Sequence, residues 1–303
     1  MNEIFPKGSA WIDGKFVKLA DAKISILDWG FLRSDATYDV VHVWKGRFFR
    51  LDKHIDRFFE STKKLRMPCQ MDRGELKKIL ANCVVKGKLE SAYVEMIQTR
   101  GISPNFVRDP RLATPRVMAF AVPFGWILKQ EDFEKGLDVL LTDIKRIPPS
   151  SVDPTIKNYH WMDLVTGMLN AYEKGNDTAV LVDENNNITE GPGFNLFCIN
   201  ETGIFTPEHG VLEGITRQSV FDLAKELNLP IMTKSISVKE LYSAEELFAT
   251  STAGGIMPIT RVSGQEIGKG SVGSLTRQLH KLYWEKHSDD SWSTSITDIL
   301  SNK

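Results

Sequence analysis

Three short segments in the C-terminal half of the chain carry side chains that could do chemistry. They are DPTIKN (153–158), TEGPGFN (189–195) and STAGG (251–255). The first offers a lysine amine, the second a carboxylate beside a Gly-Pro-Gly turn, and the third hydroxyls and glycine amides after an apolar stretch. Pyridoxal 5′-phosphate (PLP) chemistry needs an amine for a Schiff base, an acid partner for the pyridine nitrogen and a cradle for the phosphate.

Lys157 is the candidate amine. The spacing of apolar residues predicts a helix from Asn158 to Lys174, which places Lys157 at the start of a helix. The positive end of the helix dipole would disfavour the charged form of this amine, as suits a Schiff-base lysine. Taken alone, a lysine at a helix start is usually a solvated surface residue, so the interpretation depends on the other two segments.

Glu190 is the candidate partner of a pyridine nitrogen, because a protonated ring is a strong electron sink. Phosphate could bind at three places, which are Ile215 and Thr216 before a predicted helix, the loop of Ser251 and Thr252, and Arg57. The plainer alternatives are a turn carboxylate at Glu190, a helix N-cap at Thr216 and a surface arginine at Arg57. His54, between apolar helix positions, is predicted to be structural.

The elements that must position these residues fall into two parts. Residues 37–44 and 47–51 read as a hairpin, followed by amphipathic helices from Asp52 and over 74–86, and by strands over 92–99 and 116–122. Beyond PFGW (123–126), strands and helices alternate. The sequence predicts a small α/β N-terminal domain (1–122), a linker (123–128) and a larger C-terminal domain (129–303) with a barrel-like or mixed sheet and outer helices.

Composition excludes several classes of function. The chain has 303 residues, 42% of them hydrophobic, and 38 basic side chains nearly balance 39 acidic ones, which does not favour a nucleic-acid or anionic-membrane partner. No apolar run is long enough for a membrane-spanning helix, and the N-terminus does not read as a signal peptide. The three cysteines have no metal-ligand spacing and fit a reducing compartment, so we expect no metal and a cytoplasmic location.

The order of these motifs resembles that of class IV (fold-type IV) PLP-dependent aminotransferases. The resemblance runs from about Trp11 to the final predicted helix. It implies a two-domain α+β fold, PLP as cofactor, small amine and keto-acid substrates, and a homodimer. It also implies a ping-pong reaction in which the amino group passes from an amine to the cofactor and then to a keto acid.

Roles follow from the resemblance position by position. Lys157 matches the Schiff-base lysine and Glu190 matches the partner of the pyridine nitrogen. The matching phosphate contacts are Arg57, Ile215, Thr216, Ser251 and Thr252.

Within the family, the stretch RSDATYDVVHVWKGRFFRLD (33–52) and TAGGIMPIT (252–260) are most similar to (R)-selective amine transaminases. On that interpretation the substrate pockets are lined by Tyr38, Val40, Tyr93, Glu95, Trp161, Thr252 and Ala253. An aromatic and apolar lining favours a substrate without a carboxylate on the amine-bearing carbon. The expected donor is therefore an (R)-configured primary amine, with a keto acid such as pyruvate as acceptor.

Two departures keep other members of the family open. The Arg-x-His carboxylate trap of D-amino-acid transaminases is missing after Ser103-Pro104, where Asn-Phe-Val follows. Arg33 stands where amine transaminases often carry histidine, and Arg33 or Arg108 could bind a carboxylate. The alternatives are a branched-chain or D-amino-acid aminotransferase, an aminodeoxychorismate lyase and a non-catalytic relative, the last disfavoured by the intact set of motif residues.

Overall fold

A computed structural model describes residues 4–301 of the chain. The strands are β1 (Ser9–Ile12), β2 (Lys15–Val17), β3 (Ala36–Trp44), β4 (Arg47–Phe49), β5 (Ala92–Ile102), β6 (Thr114–Pro123), β7 (Leu137–Lys145), β8 (Thr178–Val182), β9 (Glu190–Gly191), β10 (Phe194–Asn200), β11 (Gly203–Pro207), β12 (Ile231–Lys234), β13 (Glu246–Ser251), β14 (Gly255–Val262), β15 (Gln265–Glu266) and β16 (Ser293–Ser295). The α-helices are α1 (Trp29–Arg33), α2 (Leu51–Lys64), α3 (Arg73–Gly87), α4 (Met162–Glu173), α5 (Ile215–Glu226), α6 (Val238–Tyr242), α7 (Ser274–Glu285) and α8 (Ile296–Ser301). Within the described range, none of the helices has the length and apolar character needed to cross a membrane.

The described chain divides into two compact units. Unit 1 comprises residues 4–125, Ile156–Tyr159 and residues 287–301, and unit 2 comprises Trp126–Thr155 and His160–Lys286. The sequence analysis assigned 156–159 and 287–301 to the C-terminal domain, whereas their contacts place them in unit 1. The division into domains at 122 and 129 stays a prediction.

Unit 1 is built on a seven-stranded sheet in the order β16-β4-β3-β5-β6-β1-β2, with every pair antiparallel. The predicted hairpin is confirmed, because β3 and β4 pair through a turn in which Lys45 and Gly46 both have positive φ angles, 48° and 78°. Positive φ at both central residues matches the right-handed twist of the flanking strands.

Two helices pack on this sheet. In α2 the buried residues Leu51, Ile55 and Phe58 recur at helical spacing, and α3 begins where the Asp72 carboxylate accepts hydrogen bonds from the amides of Gly74 and Glu75. Their apolar faces join Val41, Val43, Val94 and Met96 of the sheet in one core.

Unit 2 is built on a nine-stranded mixed sheet. Its main path is β12-β11-β10-β13-β14-β7-β8, with β9 pairing β10 and β15 pairing β14. Three pairs are parallel, namely β11 with β12, β14 with β7 and β7 with β8. Helix α4 buries Leu164 and Ala171 in a core with β7 and β8, and α5 buries Val220 and Leu223. The predicted α+β architecture is therefore confirmed at the level of two sheets, each with its own helices.

Candidate active site

Lys157 lies in an extended segment of unit 1 and not at the start of a helix. Helix α4 begins only at Met162, so the prediction of a helix from Asn158 is wrong. The backbone carbonyl of Lys157 accepts hydrogen bonds from the Tyr38 amide at 3.1 Å and from the Thr37 hydroxyl at 2.7 Å. The segment is thus held along the beginning of β3, and a helix dipole plays no part in the environment of this amine.

The amine of Lys157 is placed over an aromatic ring. Its Nζ atom lies 4.2 Å from the centroid of the Tyr38 ring, which is a cation–π distance. Tyr38 in turn stacks against Tyr159, with ring centroids 4.3 Å apart and planes 19° apart. The aromatic contact restricts where the flexible lysine side chain can put its amine.

The predicted pocket residues of unit 1 share one face of the sheet. Val40 pairs directly with Glu95, and Tyr38 and Tyr93 lie two residues along their own strands, β3 and β5. Because side chains alternate along a strand and paired residues face the same side, these four side chains project together. Tyr38, Val40 and Glu95 are buried, and Tyr93 is half-buried.

Glu95 is a buried carboxyl surrounded by tyrosines. The Tyr159 hydroxyl donates a hydrogen bond to Glu95 Oε1 at 2.6 Å, and Tyr93 is a second hydrogen-bond partner. Burial raises the pKa of Glu95 above its ordinary value, although the tyrosine hydrogen bonds and the charge of Lys157 oppose the shift. Burial and the nearby carboxyl also raise the pKa values of Tyr93 and Tyr159, so both hydroxyls stay protonated and can donate.

Arg57 is held by a buried carboxylate that the sequence analysis missed. Asp39 Oδ2 accepts a hydrogen bond from Arg57 Nε at 2.7 Å, and Asp39 Oδ1 accepts one from Arg57 Nη2 at 2.9 Å and contacts His54 Nδ1 at 2.7 Å. Burial alone would raise the pKa of Asp39, but the charge of Arg57 and the hydrogen bonds more than offset burial and hold it well below its ordinary value. An ionised carboxylate only accepts hydrogen bonds, so His54 Nδ1 carries the proton.

His54 is buried and structural, as the sequence predicted. Burial lowers its pKa below the ordinary value, and the nearby charges of Arg57 and Lys157 act in the same direction. The ring is therefore neutral and donates through Nδ1 to Asp39. Arg57 and His54 stand three residues apart on α2, so both side chains lie on the helix face that meets Asp39. The three-residue spacing of His54 and Arg57 is therefore the sequence feature from which a shared acidic partner could have been predicted.

In unit 2, Glu190 lies on β9 with both carboxylate oxygens engaged. Oε1 accepts hydrogen bonds from Arg146 Nε and Nη2, each at 3.1 Å, and Oε2 accepts one from the Leu212 amide at 2.9 Å. Arg146 also donates to Asp163 Oδ2 at 2.6 Å. Burial opposes the charge on Arg146, but Glu190 and Asp163 more than offset burial and raise its pKa. The guanidinium therefore keeps a full positive charge beside Glu190.

Helix α5 begins beside Glu190, and its first turn is open. Gly214 is its N-cap residue, and no side chain of residues 4–301 caps it, so the alternative of Thr216 as a plain N-cap is wrong. The first amides of a helix have no partner within the helix and form an anion site. A Cβ at Gly214 would lie 2.2 Å from Asn195 Oδ1, so glycine is required for the helix start to approach β10 this closely.

Asn195 connects these two features. Its Nδ2 donates to the Leu212 carbonyl at 2.8 Å and lies 3.4 Å from Glu190 Oε2. Thr216 is buried in the first turn of α5, and Ile215 precedes it in the same turn. The structure therefore brings together Glu190 and the helix start that carries Ile215 and Thr216.

Ser251 is the last residue of β13 and Thr252 follows it, and the hydroxyl of Ser251 stabilises the loop. It donates to the Gly193 carbonyl at 2.8 Å and accepts from the Ala253 amide at 3.1 Å. Gly193 has φ of 81° and lies in the turn after Glu190. The Ser251 contact ties this turn to the loop, and Thr252 and Ala253 stay half-buried.

The three remaining predicted residues, Trp161, Arg33 and Arg108, are half-buried or exposed. Trp161 immediately precedes α4, half-buried, with its ring 3.6 Å from where a Cβ on Gly193 would lie. Arg33 is exposed and stacks over the Trp29 ring at 4.4 Å. Arg108 is exposed in the loop between β5 and β6. The structure gives Arg33 and Arg108 no contact with the cluster around Lys157 among the described residues.

The fold and these two groups of side chains define a class of protein. The fold is that of a fold-type IV aminotransferase. Unit 1 holds a lysine amine against an aromatic ring, and unit 2 holds a buried carboxylate beside an uncapped helix start. The family model for amino-transferase class IV matches residues 36–262, so the chain belongs to that family and is a transaminase.

Relatives with known names agree with this assignment. The chain is 28% identical over 290 residues to a putative branched-chain-amino-acid aminotransferase of Methanocaldococcus jannaschii, covering 95% of this chain and 99% of the relative. It is 28% identical over 294 residues to the branched-chain-amino-acid aminotransferase of Escherichia coli K12, covering 93% and 94%.

Solved structures give the same result. A T.th. branched-chain amino acid aminotransferase with pyridoxamine 5′-phosphate matches with a TM-score of 0.89 at 28% identity, covering 97% of this chain and 100% of that chain. The E. coli branched-chain amino acid aminotransferase matches with a TM-score of 0.90 at 26% identity, covering 95% and 99%. These comparisons support the branched-chain alternative from the sequence analysis better than its (R)-selective amine interpretation.

Proposed function

We propose that this PLP-dependent transaminase takes its amino group from a branched-chain amino acid and delivers it to a keto acid. The cofactor predicted from the sequence is confirmed by the family and by the pyridoxamine 5′-phosphate in a solved relative. The observation that supports cofactor binding is the pairing, in unit 2, of the buried Glu190 carboxylate with the uncapped start of α5.

The residues present fit PLP. Glu190 is buried, accepts hydrogen bonds from Arg146, and is the proposed partner of a protonated pyridine nitrogen. The open amides at the start of α5, with the buried Thr216 hydroxyl, suit a phosphate dianion, and Gly214 lets this helix start approach Asn195 closely. Arg57, fixed by Asp39, is the proposed arginine contact to phosphate. Bound PLP supplies the electron sink that stabilises the carbanion left when the substrate loses its Cα proton.

Lys157 is the proposed catalytic base. Its Nζ removes the Cα proton of the amine substrate and holds that proton until transfer. Contact with the Tyr38 ring at 4.2 Å orients the amine and favours its protonated form after it has accepted the proton. Tyr159, stacked on Tyr38 and bonded to Glu95, keeps that ring in place.

The branched-chain donor is supported by the similarity to enzymes named for that substrate. Val40 and the rings of Tyr38 and Tyr93 share one face of the sheet and would suit contact with an aliphatic side chain. Arg33 and Arg108, both exposed, are the two arginines proposed to contact a substrate carboxylate.

An (R)-configured primary amine is the second candidate donor. The observation that favours it is the buried carboxyl of Glu95 among the pocket residues. When ionised, this group repels a substrate α-carboxylate, so amines without one would be preferred. Trp161, Thr252 and Ala253 of unit 2 stay substrate-pocket predictions that rest on the resemblance.

We also propose that the protein acts as a homodimer. Ile24, Ile26, Leu27, Phe31 and Leu32 of unit 1 form a run in which these side chains are 42% to 74% exposed. Contiguous exposed apolar side chains of this kind mark interaction surfaces. A cytoplasmic location remains a prediction from cysteine content and charge.

The experiment is a half-reaction followed by visible absorbance. Purified PLP-loaded protein is mixed separately with L-leucine, D-alanine, and (R)- and (S)-1-phenylethylamine, and loss of the yellow band is timed. Fast bleaching by L-leucine supports the proposal, and bleaching by (R)-1-phenylethylamine alone replaces it with the second candidate. The matched control is Lys157→Ala, which should bind PLP without bleaching. Bleaching by that variant at the wild-type rate would remove Lys157 from the mechanism.

A further inference from the structure

The hydroxyl of Thr250 in unit 2 is a buried polar group without a partner. Thr250 is 2% exposed, and its Oγ1 atom has no hydrogen-bond partner among residues 4–301. Other buried threonines of the same sheet are satisfied, since Thr206 donates to the Leu196 carbonyl at 2.7 Å and Thr260 to the Lys135 carbonyl at 2.8 Å. A buried hydroxyl left unsatisfied destabilises the fold, so its retention calls for a partner outside the chain.

The sheet register shows where this hydroxyl lies. Asn195 on β10 pairs directly with Glu190 on β9 and, on its other side, with Thr250 on β13. Directly paired residues project from the same face of a sheet. Glu190, Asn195 and Thr250 therefore form a row on one face, and the Asn195 contacts to Glu190 and Leu212 confirm the direction of its side chain.

The same row lies against the open helix start. The Asn195 side chain touches the N-cap residue of α5, since a Cβ on Gly214 would lie 2.2 Å from Asn195 Oδ1. Thr250 is next to Asn195 in the row and directly precedes Ser251 and Thr252 of the proposed phosphate loop. A ligand that reaches from Glu190 to the helix start passes along the face on which the Thr250 hydroxyl is buried.

We propose that Thr250 is an additional cofactor-binding residue, whose hydroxyl donates a hydrogen bond to an oxygen atom of bound PLP. The inference rests on the proposed function, because it requires PLP to bind at Glu190. Thr250 is not one of the phosphate contacts that the sequence motifs predict. It also explains why a polar side chain occupies a position whose strand neighbours, Ala249 and Phe248, are apolar and buried.

The proposal predicts effects of opposite sign on the apoprotein and on PLP binding. Thr250→Val keeps the shape of the side chain and removes the hydroxyl. It should leave the thermal midpoint of the apoprotein equal to or about 2 °C above the wild-type value, because an unsatisfied group is lost. It should raise the Kd for PLP by about tenfold or more, because a hydrogen bond to a charged ligand is lost. The Kd of Thr250→Ser for PLP should stay within about threefold of the wild-type value, because serine keeps the hydroxyl.

The test compares these variants as apoproteins and in titrations with PLP. The matched control is Thr260→Val, which removes a hydroxyl with a partner from the same sheet and should lower the apoprotein midpoint while leaving the Kd unchanged. An unchanged Kd for PLP in Thr250→Val overturns the proposal. A rise in Kd that is equally large in Thr250→Ser, or a clearly lower thermal midpoint of the Thr250→Val apoprotein, also overturns it. Failure of the wild-type protein to bind PLP would instead overturn the proposed function.

Discussion

Asp39 is the residue of unit 1 whose replacement should cost the most stability for the smallest change in shape. Asp39→Asn keeps the volume of the side chain and removes a fully buried negative charge. That charge accepts two hydrogen bonds from Arg57, at 2.7 and 2.9 Å, and one from His54 at 2.7 Å. The asparagine amide would point a donor at groups that are themselves donors, so at least one of these contacts must break.

The size of the expected stability loss follows from the burial of Asp39 and Arg57. The Arg57 side chain is only 12% exposed, so water replaces little of the lost interaction. Removing one partner of a buried ion pair typically costs about 3–5 kcal/mol, and we expect the lower end, about 3 kcal/mol, because an amide oxygen still accepts one hydrogen bond. For a protein of this size the loss corresponds to a thermal midpoint lower by about 6–12 °C.

The pH dependence has a defined sign. The pKa of Asp39 is lower in the folded protein than in the unfolded chain, so its contribution is present above the unfolded value and is lost as the pH falls toward the folded one. The difference between wild type and Asp39→Asn should therefore be constant at neutral pH and shrink below about pH 4.

The assay is thermal unfolding of the apoproteins, followed by circular dichroism between neutral and acidic pH. The matched control is Asp13→Asn, which removes the partner of Arg116 at a site where the aspartate side chain is 67% exposed, and it should cost less than about 1 kcal/mol. A midpoint for Asp39→Asn within about 2 °C of wild type at neutral pH, or a difference that does not shrink in acid, would refute the reasoning.

Three further substitutions test the neighbouring groups. Glu190→Gln removes the charge facing Arg146 and should lower turnover by about 100-fold with little change in fold, measured as the rate of the half-reaction. Gly214→Ala places a Cβ 2.2 Å from an Asn195 oxygen and should cost about 1–3 kcal/mol in apoprotein stability. It should also weaken PLP binding, and an unchanged affinity for PLP would contradict the proposed phosphate site at the start of α5. Tyr159→Phe removes a hydrogen bond that lowers the pKa of Glu95, so any step governed by that carboxyl should shift to higher pH in the pH–rate profile, and an unshifted profile would separate Glu95 from the reaction.

Local sequence signals predicted the elements whose conformation is fixed by neighbouring residues. The hairpin turn at Lys45 and Gly46 and the amphipathic faces of α2 and α3 depend on short-range patterns. The predicted start of α4 is four residues too early, because Trp161 fits the apolar spacing of the helix and Asn158 is a residue type common at helix starts. Such a boundary is decided by tertiary contacts, here the hydrogen bonds of Lys157 with β3, 120 residues earlier in the chain.

The candidate site divides in the same way. The motifs located Lys157 and Glu190 because each lies in a short run of characteristic residue types. Three other contacts of the candidate site were not predicted, because each joins residues that are distant in the sequence. They are Tyr159 with Glu95, Arg57 with Asp39, and Arg146 with Glu190. Single-sequence patterns carry no information on these distant pairs, since an isolated Asp or Arg is usually solvated.

The central claim is that Lys157 is the amine of a class IV aminotransferase. The most direct measurement is borohydride reduction of the PLP-loaded protein, followed by peptide mass mapping. The account predicts one pyridoxyl group per chain on Lys157, and none in Lys157→Ala. Labelling of a different lysine, or no stable labelling at saturating PLP, would contradict it.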